Sequence, residues 1–206
     1  MASHSTPQTH TRRTFLGGMA ATAAVPSVLS AQGNSPKRQL GIALVGLGSL
    51  STNQIAPALQ KARFARLAGV VSGTPSKVKA WQEKYGIPEK NCYDYASFDR
   101  IRDNPDIDLV YIVLPNSMHA EYTIRAARAG KHVLCEKPMA NSVRDCQDMI
   151  AACKDAKRRL AIGYRCQFTP HHLEMIRLAR YEEFGPVRLI EAGFGFRIGD
   201  PTQWRL

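Results

Sequence analysis

The sequence predicts an α/β protein, a Rossmann fold with a doubly wound parallel sheet, followed by the truncated start of an α+β open-sheet domain. Three observations predict it. A continuous apolar run at residues 40–45 leads straight into Gly46-Leu47-Gly48-Ser49-Leu50-Ser51. Apolar runs then alternate with helix-sized segments as far as residue 165. Beyond that, residues 166–206 hold one helical pattern and one alternating strand pattern, with no partner for the strand.

The expected organisation is an export signal at residues 1–31, a linker at 32–38, the dinucleotide-binding domain at 39–165 and the start of a substrate or oligomerisation domain at 166–206. At 206 residues the chain has room for one domain and part of another. An apolar content of 44% and a charged content of 22% suit a chain that buries a core. The formal charge of +11 would suit a nucleic-acid binder. Its one tight cluster, however, is Lys154, Lys157, Arg158 and Arg159 around Asp155, which reads as a solvated helix end, so no nucleic-acid partner is expected. The five cysteines form no CxxC pair and no zinc-spaced cluster with histidine, so no metal site is expected; Cys146 and Cys153, seven apart, read as packing on one helix face.

Thr11-Arg12-Arg13-Thr14-Phe15-Leu16, a mildly apolar stretch and the small pair Ser30-Ala31 resemble a twin-arginine export signal. The stretch is too short and too weakly apolar to span a membrane. A basic leader without an address is the alternative. Export would place the protein in the periplasm, folded beforehand around any soluble cofactor, with no membrane association afterwards.

The run at 40–45 is what a strand buried on both faces requires. The turn after it carries the G-x-G-x-x-G/A pattern with Ser51 in the third place. Gly46 permits the tight turn, Gly48 lets backbone approach a pyrophosphate, and Ser51 is small enough for helix and strand to pack closely. Backbone N–H groups at Ser49 and Leu50 open the following helix, whose positive end attracts phosphate. Its body is expected at residues 55–62, with Pro57 delaying its start. A second strand at 65–71 completes a βαβ unit. At its end Val71-Ser72-Gly73-Thr74-Pro75-Ser76-Lys77 holds no acid to take a ribose 2′-hydroxyl. Ser72 can donate to a 2′-phosphate and Lys77 can neutralise it, which favours NADP over NAD. The plainer alternative is a turn and helix cap with Lys77 merely exposed.

A strand at 109–114 ends at Pro115-Asn116-Ser117-Met118-His119, where a helix to about residue 129 begins. A strand at 132–135 ends at Glu136-Lys137-Pro138, a helix follows at 142–156, and a last strand at 159–164 leads to Arg165. Ligands of such sheets bind at the carboxyl ends of the strands. Leu114, Pro115, Asn116, His119, Glu136, Lys137, Tyr164 and Arg165 all fall there. Lys137 is the candidate catalytic residue, because a partly desolvated ammonium can hold a developing alkoxide or relay its proton as hydride leaves carbon. Pro138 turns Lys137 away from helical backbone and permits a cis bond. From Glu-Lys-Pro alone an exposed turn is the simpler reading; the strand-end position favours chemistry. For His119, satisfaction by backbone stands equal to a ligand contact.

These runs, together with Gly130-Lys131-His132-Val133-Leu134-Cys135-Glu136-Lys137-Pro138 and Ile162-Gly163-Tyr164-Arg165-Cys166, resemble the Gfo/Idh/MocA family of sugar and cyclitol oxidoreductases, most closely its glucose-fructose oxidoreductase branch. The resemblance spans residues 38–206. It implies that Lys137 contacts nicotinamide ribose and substrate, that Ser72 and Lys77 hold tightly bound NADP, and that Tyr164, Arg165, Trp204 and Arg205 lie near the cofactor. It implies hydride transfer between an aldose and NADP, with a second sugar as possible acceptor, and a homo-oligomeric full-length form. A further catalytic acid/base of the family lies downstream, so it is expected beyond residue 206 and the chain is expected to be a fragment or defective in catalysis. The rival functions are a family dehydrogenase that exchanges its NAD(P) freely and a non-catalytic dinucleotide or sugar sensor.

Overall fold

A computed structural model describes residues 38–193 and 195; the leader, Trp204 and Arg205 lie outside these residues. Six strands form one sheet: β1 (Leu40–Val45), β2 (Ala65–Val71), β3 (Cys92–Tyr93), β4 (Leu109–Ile112), β5 (His132–Cys135) and β6 (Leu160–Ile162). Their order is β3-β2-β1-β4-β5-β6, and every neighbouring pair is parallel. From β1 the chain winds outward through β2 to β3, then crosses back to β4 and winds outward the other way. The reversal falls between β1 and β4, where a crevice opens at the strands' carboxyl ends.

Strand periodicity divides the core. Ala43 and Val45 of β1 join Val110, Ile112, Val133 and Cys135 under α3 (His119–Arg128) and α4 (Val143–Asp155). Ile42 and Leu44 face the other way, toward α1 (Ala56–Gln60) and α2 (Pro75–Tyr85) through Ala56 and Trp81. On that second side β4 to β6 are only partly covered: Tyr111, Leu134 and Ile162 are half-buried and Ala161 is exposed. The helices show ordinary start and stop chemistry. Ser142 caps α4 by accepting the Asp145 N–H at 3.0 Å. Gly86, at φ +64°, closes α2 in the left-handed conformation a side chain resists.

The elements depart from the sequence expectation at six places. A wide π-helical turn, Ser51–Ile55, precedes α1, which starts at Ala56 with Pro57 in its first turn. Pro57 lacks an N–H to donate, so this is where it fits. The two-residue strand β3 and the tight 3₁₀ segment Phe98–Asp103 have no periodicity long enough to read. The strand β4 stops at Ile112 rather than at residue 114, although Val113 N–H still bonds Val45 O at 2.8 Å. The last strand, β6, is shorter than 159–164. The strand expected at residues 187–196 is not formed in the described residues 187–193 and 195, which have no regular structure. A strand pairs its backbone groups only with a neighbour, and none is present among the described residues. The helix before it, α5 (Pro170–Arg180), is formed but has no buried residue.

Candidate functional site

A cleft of about 2190 Å³ opens over the switch point. That exceeds the roughly 300–1,000 Å³ of a small-ligand pocket and gives room for an extended dinucleotide with a second molecule beside it. Its floor is the first glycine turn. Gly46 sits at φ +93°, and a methyl there would overlap the carbonyl oxygen of Val113 and reach within 2.9 Å of Leu114 Cδ2. Glycine therefore serves two ends here: the turn itself and the contact between the ends of β1 and β4. Gly48 is the opposite case, with open space where a side chain would stand. That bare backbone is the cradle a pyrophosphate needs. Ser51, fully buried, does more than stay small: its hydroxyl donates to Gly46 O at 2.6 Å and ties the turn shut. Asn53 donates to Ser49 Oγ at 3.0 Å, leaving the Ser49 hydroxyl hydrogen free to point into the cleft.

At one end of the cleft Ser72, Gly73, Thr74 and Lys77 come together. Ser72 is buried, and its oxygen accepts the Thr74 N–H at 3.2 Å, so its own hydrogen remains to be donated. Lys77 stands exposed in the first turn of α2. Tyr95 forms the wall beside them: a side chain on Gly73 would come within 3.0 Å of its ring. The Tyr95 segment is anchored by Arg125, which donates to Tyr95 O at 3.1 Å, pairs with Asp99 and Glu121, and stacks over Phe98 and Tyr122.

Leu114, Pro115 and Asn116 line the middle of the cleft, and Glu136, Lys137, Tyr164 and Arg165 line the other end. The Lys137–Pro138 peptide is cis. Lys137 is exposed rather than partly desolvated, since no described segment packs over it. Lys77, Lys137 and Arg165 face a single carboxylate, Glu136, among the described lining residues, a balance suited to an anionic ligand. The exposed thiol of Cys166 also lies on this wall.

His119 is placed otherwise than with the cofactor contacts. It is fully buried and outside the cleft lining, with Nδ1 2.8 Å from Pro138 O and Nε2 2.9 Å from Leu114 O. Both ring nitrogens face backbone carbonyls and the ring N–H donates to one of them, so the ring packs between the loop after β4 and the loop after β5 beneath the site. Tyr95, Tyr111 and Gly163 line the cleft and were missed by sequence reasoning. Tyr95 belongs to no motif, and Gly163, inside the run Ile162-Gly163-Tyr164-Arg165-Cys166, has no side chain to suggest a role. Tyr111 carried one signal, a phenol in an otherwise apolar strand.

The residues thus fit a dinucleotide: a bare glycine cradle, a free serine hydroxyl at the glycine turn and another near Lys77, and cations at both ends. Residues 40–164 match the model of the oxidoreductase family with an NAD-binding Rossmann fold, GFO_IDH_MocA. Among solved structures, the aldose-aldose oxidoreductase of Caulobacter crescentus, complexed with glycerol, superposes with a TM-score of 0.80 at 56% identity, over 82% of this chain and 50% of that one. An uncharacterized oxidoreductase of Rhizobium meliloti is 31% identical over 73% of this chain and 44% of its own length. A protein of Haloferax volcanii named D-xylose 1-dehydrogenase (NADP(+)) 2 is 29% identical over 76% of this chain and 46% of its own length. The chain therefore spans about half the length of the relatives it matches. The glycine cradle, the parallel sheet and the matched residues agree: this chain belongs to the Gfo/Idh/MocA family of NAD(P)-dependent oxidoreductases.

Proposed function

We propose that the chain is the cofactor-binding half of an NADP-dependent oxidoreductase. It moves hydride between the anomeric carbon of an aldose and a tightly held NADP, with a second sugar as acceptor. The observation that carries this reading is the pairing of Ser72 and Lys77 at one end of the cleft, without an acid beside them, while Lys137 lies at the other end. The likeness to an aldose-aldose oxidoreductase supports the substrate class, and the relative named for NADP supports the cofactor.

Gly46, Gly48, Ser49 and Leu50 would cradle the pyrophosphate, Ser72 and Lys77 the 2′-phosphate, and Leu114 to Asn116 with Tyr164 and Arg165 the nicotinamide side. Bound there, the nicotinamide supplies the hydride acceptor in one half-reaction and the donor in the next. In the first, the aldose loses hydride from C1 and its hydroxyl proton to become a lactone; in the second, an aldose carbonyl takes up hydride and a proton to become an alditol. Lys137 holds the oxygen at which that proton leaves or arrives. Retention of the cofactor makes the two halves alternate in one site. We further propose that the leader at Arg12-Arg13 directs export to the periplasm with the cofactor already bound, and that the full-length protein is a homo-oligomer.

The test is to purify the full-length protein, denature it and identify the released nucleotide by mass spectrometry. NADP is expected. NAD would overturn the role of Ser72 and Lys77, and an empty protein would point to a dehydrogenase that exchanges its cofactor. Lys137→Ala is expected to abolish turnover of D-xylose and D-glucose while NADPH still binds; retained turnover would remove Lys137 from the chemistry.

A further inference from the structure

We propose that Tyr111 is a positioning residue for this reaction, acting through Glu136 to fix the backbone direction of Lys137. The inference rests on the reading of Lys137 above.

Three strand ends converge to support it. Tyr111 on β4 lies opposite Leu134 on β5. Glu136, two residues on, shares a face with Leu134 and is the diagonal neighbour of Tyr111, within reach of two long side chains. The phenol donates to Glu136 Oε1 at 2.6 Å. The other oxygen, Oε2, accepts the backbone N–H of Lys137 at 3.3 Å. On the third side stands Gly163, just after β6, where a methyl would lie 3.0 Å from Oε1 and 3.4 Å from Oε2. Gly163 is itself held by its N–H to Cys135 O at 2.8 Å. The carboxylate therefore has a donor on each oxygen and a bare backbone behind it. Its one orientation sets the peptide from which Lys137 departs.

The bland alternative is a half-buried tyrosine that takes the nearest acceptor. Two facts favour positioning. The acceptor is the residue preceding Lys137, and all three partners line the cleft. Burial, and then the adjoining carboxylate, also hold the phenol proton well above its usual range, so Tyr111 remains a donor throughout the working pH.

The test uses the full-length protein with Tyr111→Phe, Glu136→Gln and the double variant. Steady-state turnover is followed with D-xylose and D-glucose, NADPH affinity by fluorescence titration, and melting temperature by circular dichroism. Tyr111→Phe is expected to lower kcat about tenfold, a fraction of an ångström being enough to misplace a catalytic group. NADPH affinity should stay within about twofold, since the hydrogen bond touches no phosphate contact. The double variant should be no slower than Glu136→Gln alone, because the two act in series. The proposal is overturned by unchanged kcat in Tyr111→Phe, by additive losses, or by kcat and NADPH affinity falling together. Retained turnover in Lys137→Ala would instead defeat the reading on which the proposal rests, and it is seen in a separate variant.

Discussion

Gly46 and Gly48 sit two residues apart in one turn, yet the structure assigns them opposite tasks, and replacing each by alanine separates them. At Gly46 the backbone is at φ +93°, and a methyl meets the Val113 carbonyl, which is backbone just beyond β4 in a residue whose N–H is bonded to Val45 O. The left-handed conformation costs about 1–2 kcal/mol for a residue with a Cβ. Forcing the ends of β1 and β4 apart costs about 1–3 kcal/mol more, as overpacking does. Gly46→Ala should therefore lose about 2–5 kcal/mol, a fall in melting temperature of about 5–15 °C for a domain of this size. At Gly48 nothing lies within reach of the added methyl, so Gly48→Ala should melt within about 2 °C of the parent. The methyl nonetheless fills the space through which a pyrophosphate meets the backbone, and NADPH affinity should fall at least about tenfold. Melting is followed by circular dichroism with nucleotide removed, because a bound ligand raises the apparent stability; affinity is read from NADPH fluorescence. A Gly46→Ala protein as stable as the parent, or a Gly48→Ala protein that binds NADPH normally, would refute the reasoning.

His119→Ala should cost about 1–3 kcal/mol in urea unfolding, because whichever of the Leu114 and Pro138 carbonyls takes the ring N–H loses its partner; an unchanged midpoint would show that the ring joins nothing. In the native protein a thiol reagent should titrate Cys166 rapidly, whereas Cys135 and Cys153, both buried, should react only after denaturation. Burial pushes the Cys135 thiol up from 9.0 to about 12, and burial with the nearby Glu89 pushes Cys92 up from 9.0 to about 11. Between the unfolded and folded values the native state keeps a proton that the unfolded chain has lost. Stability should thus be full below about pH 9 and decline as pH climbs through 11 and 12, with a shallower decline in Cys135→Ala, measured as the urea midpoint against pH.

Much of the fold was legible because its central strands are buried on both faces: residues 40–45 and 65–71 read as apolar runs and form β1 and β2 with those bounds. The glycine turn was legible for a related reason, since its spacing encodes a backbone shape. What was hidden depends on neighbours rather than on local pattern. The two-residue strand β3 exists only because Val70 and Val71 offer it a ladder. The alternation at residues 187–196 pointed to a strand, and no ladder is offered to its described part. His119 ended beneath the site because the loop just before it and the loop after β5, reaching it from Pro138, both present carbonyls to its ring. Tyr95 reaches the cleft because Arg125, thirty residues on, holds its carbonyl.

The floor of the cleft continues the sheet itself: Gly46 N–H bonds Val71 O at 2.9 Å and Val113 N–H bonds Val45 O at 2.8 Å. A base laced into three strands cannot breathe without tearing the ladder. The walls, Tyr95 on one side and residues 164–168 on the other, stand outside that ladder. Changes there, like a methyl at Gly48, can therefore alter how a nucleotide is held while the domain's unfolding temperature stays where it was.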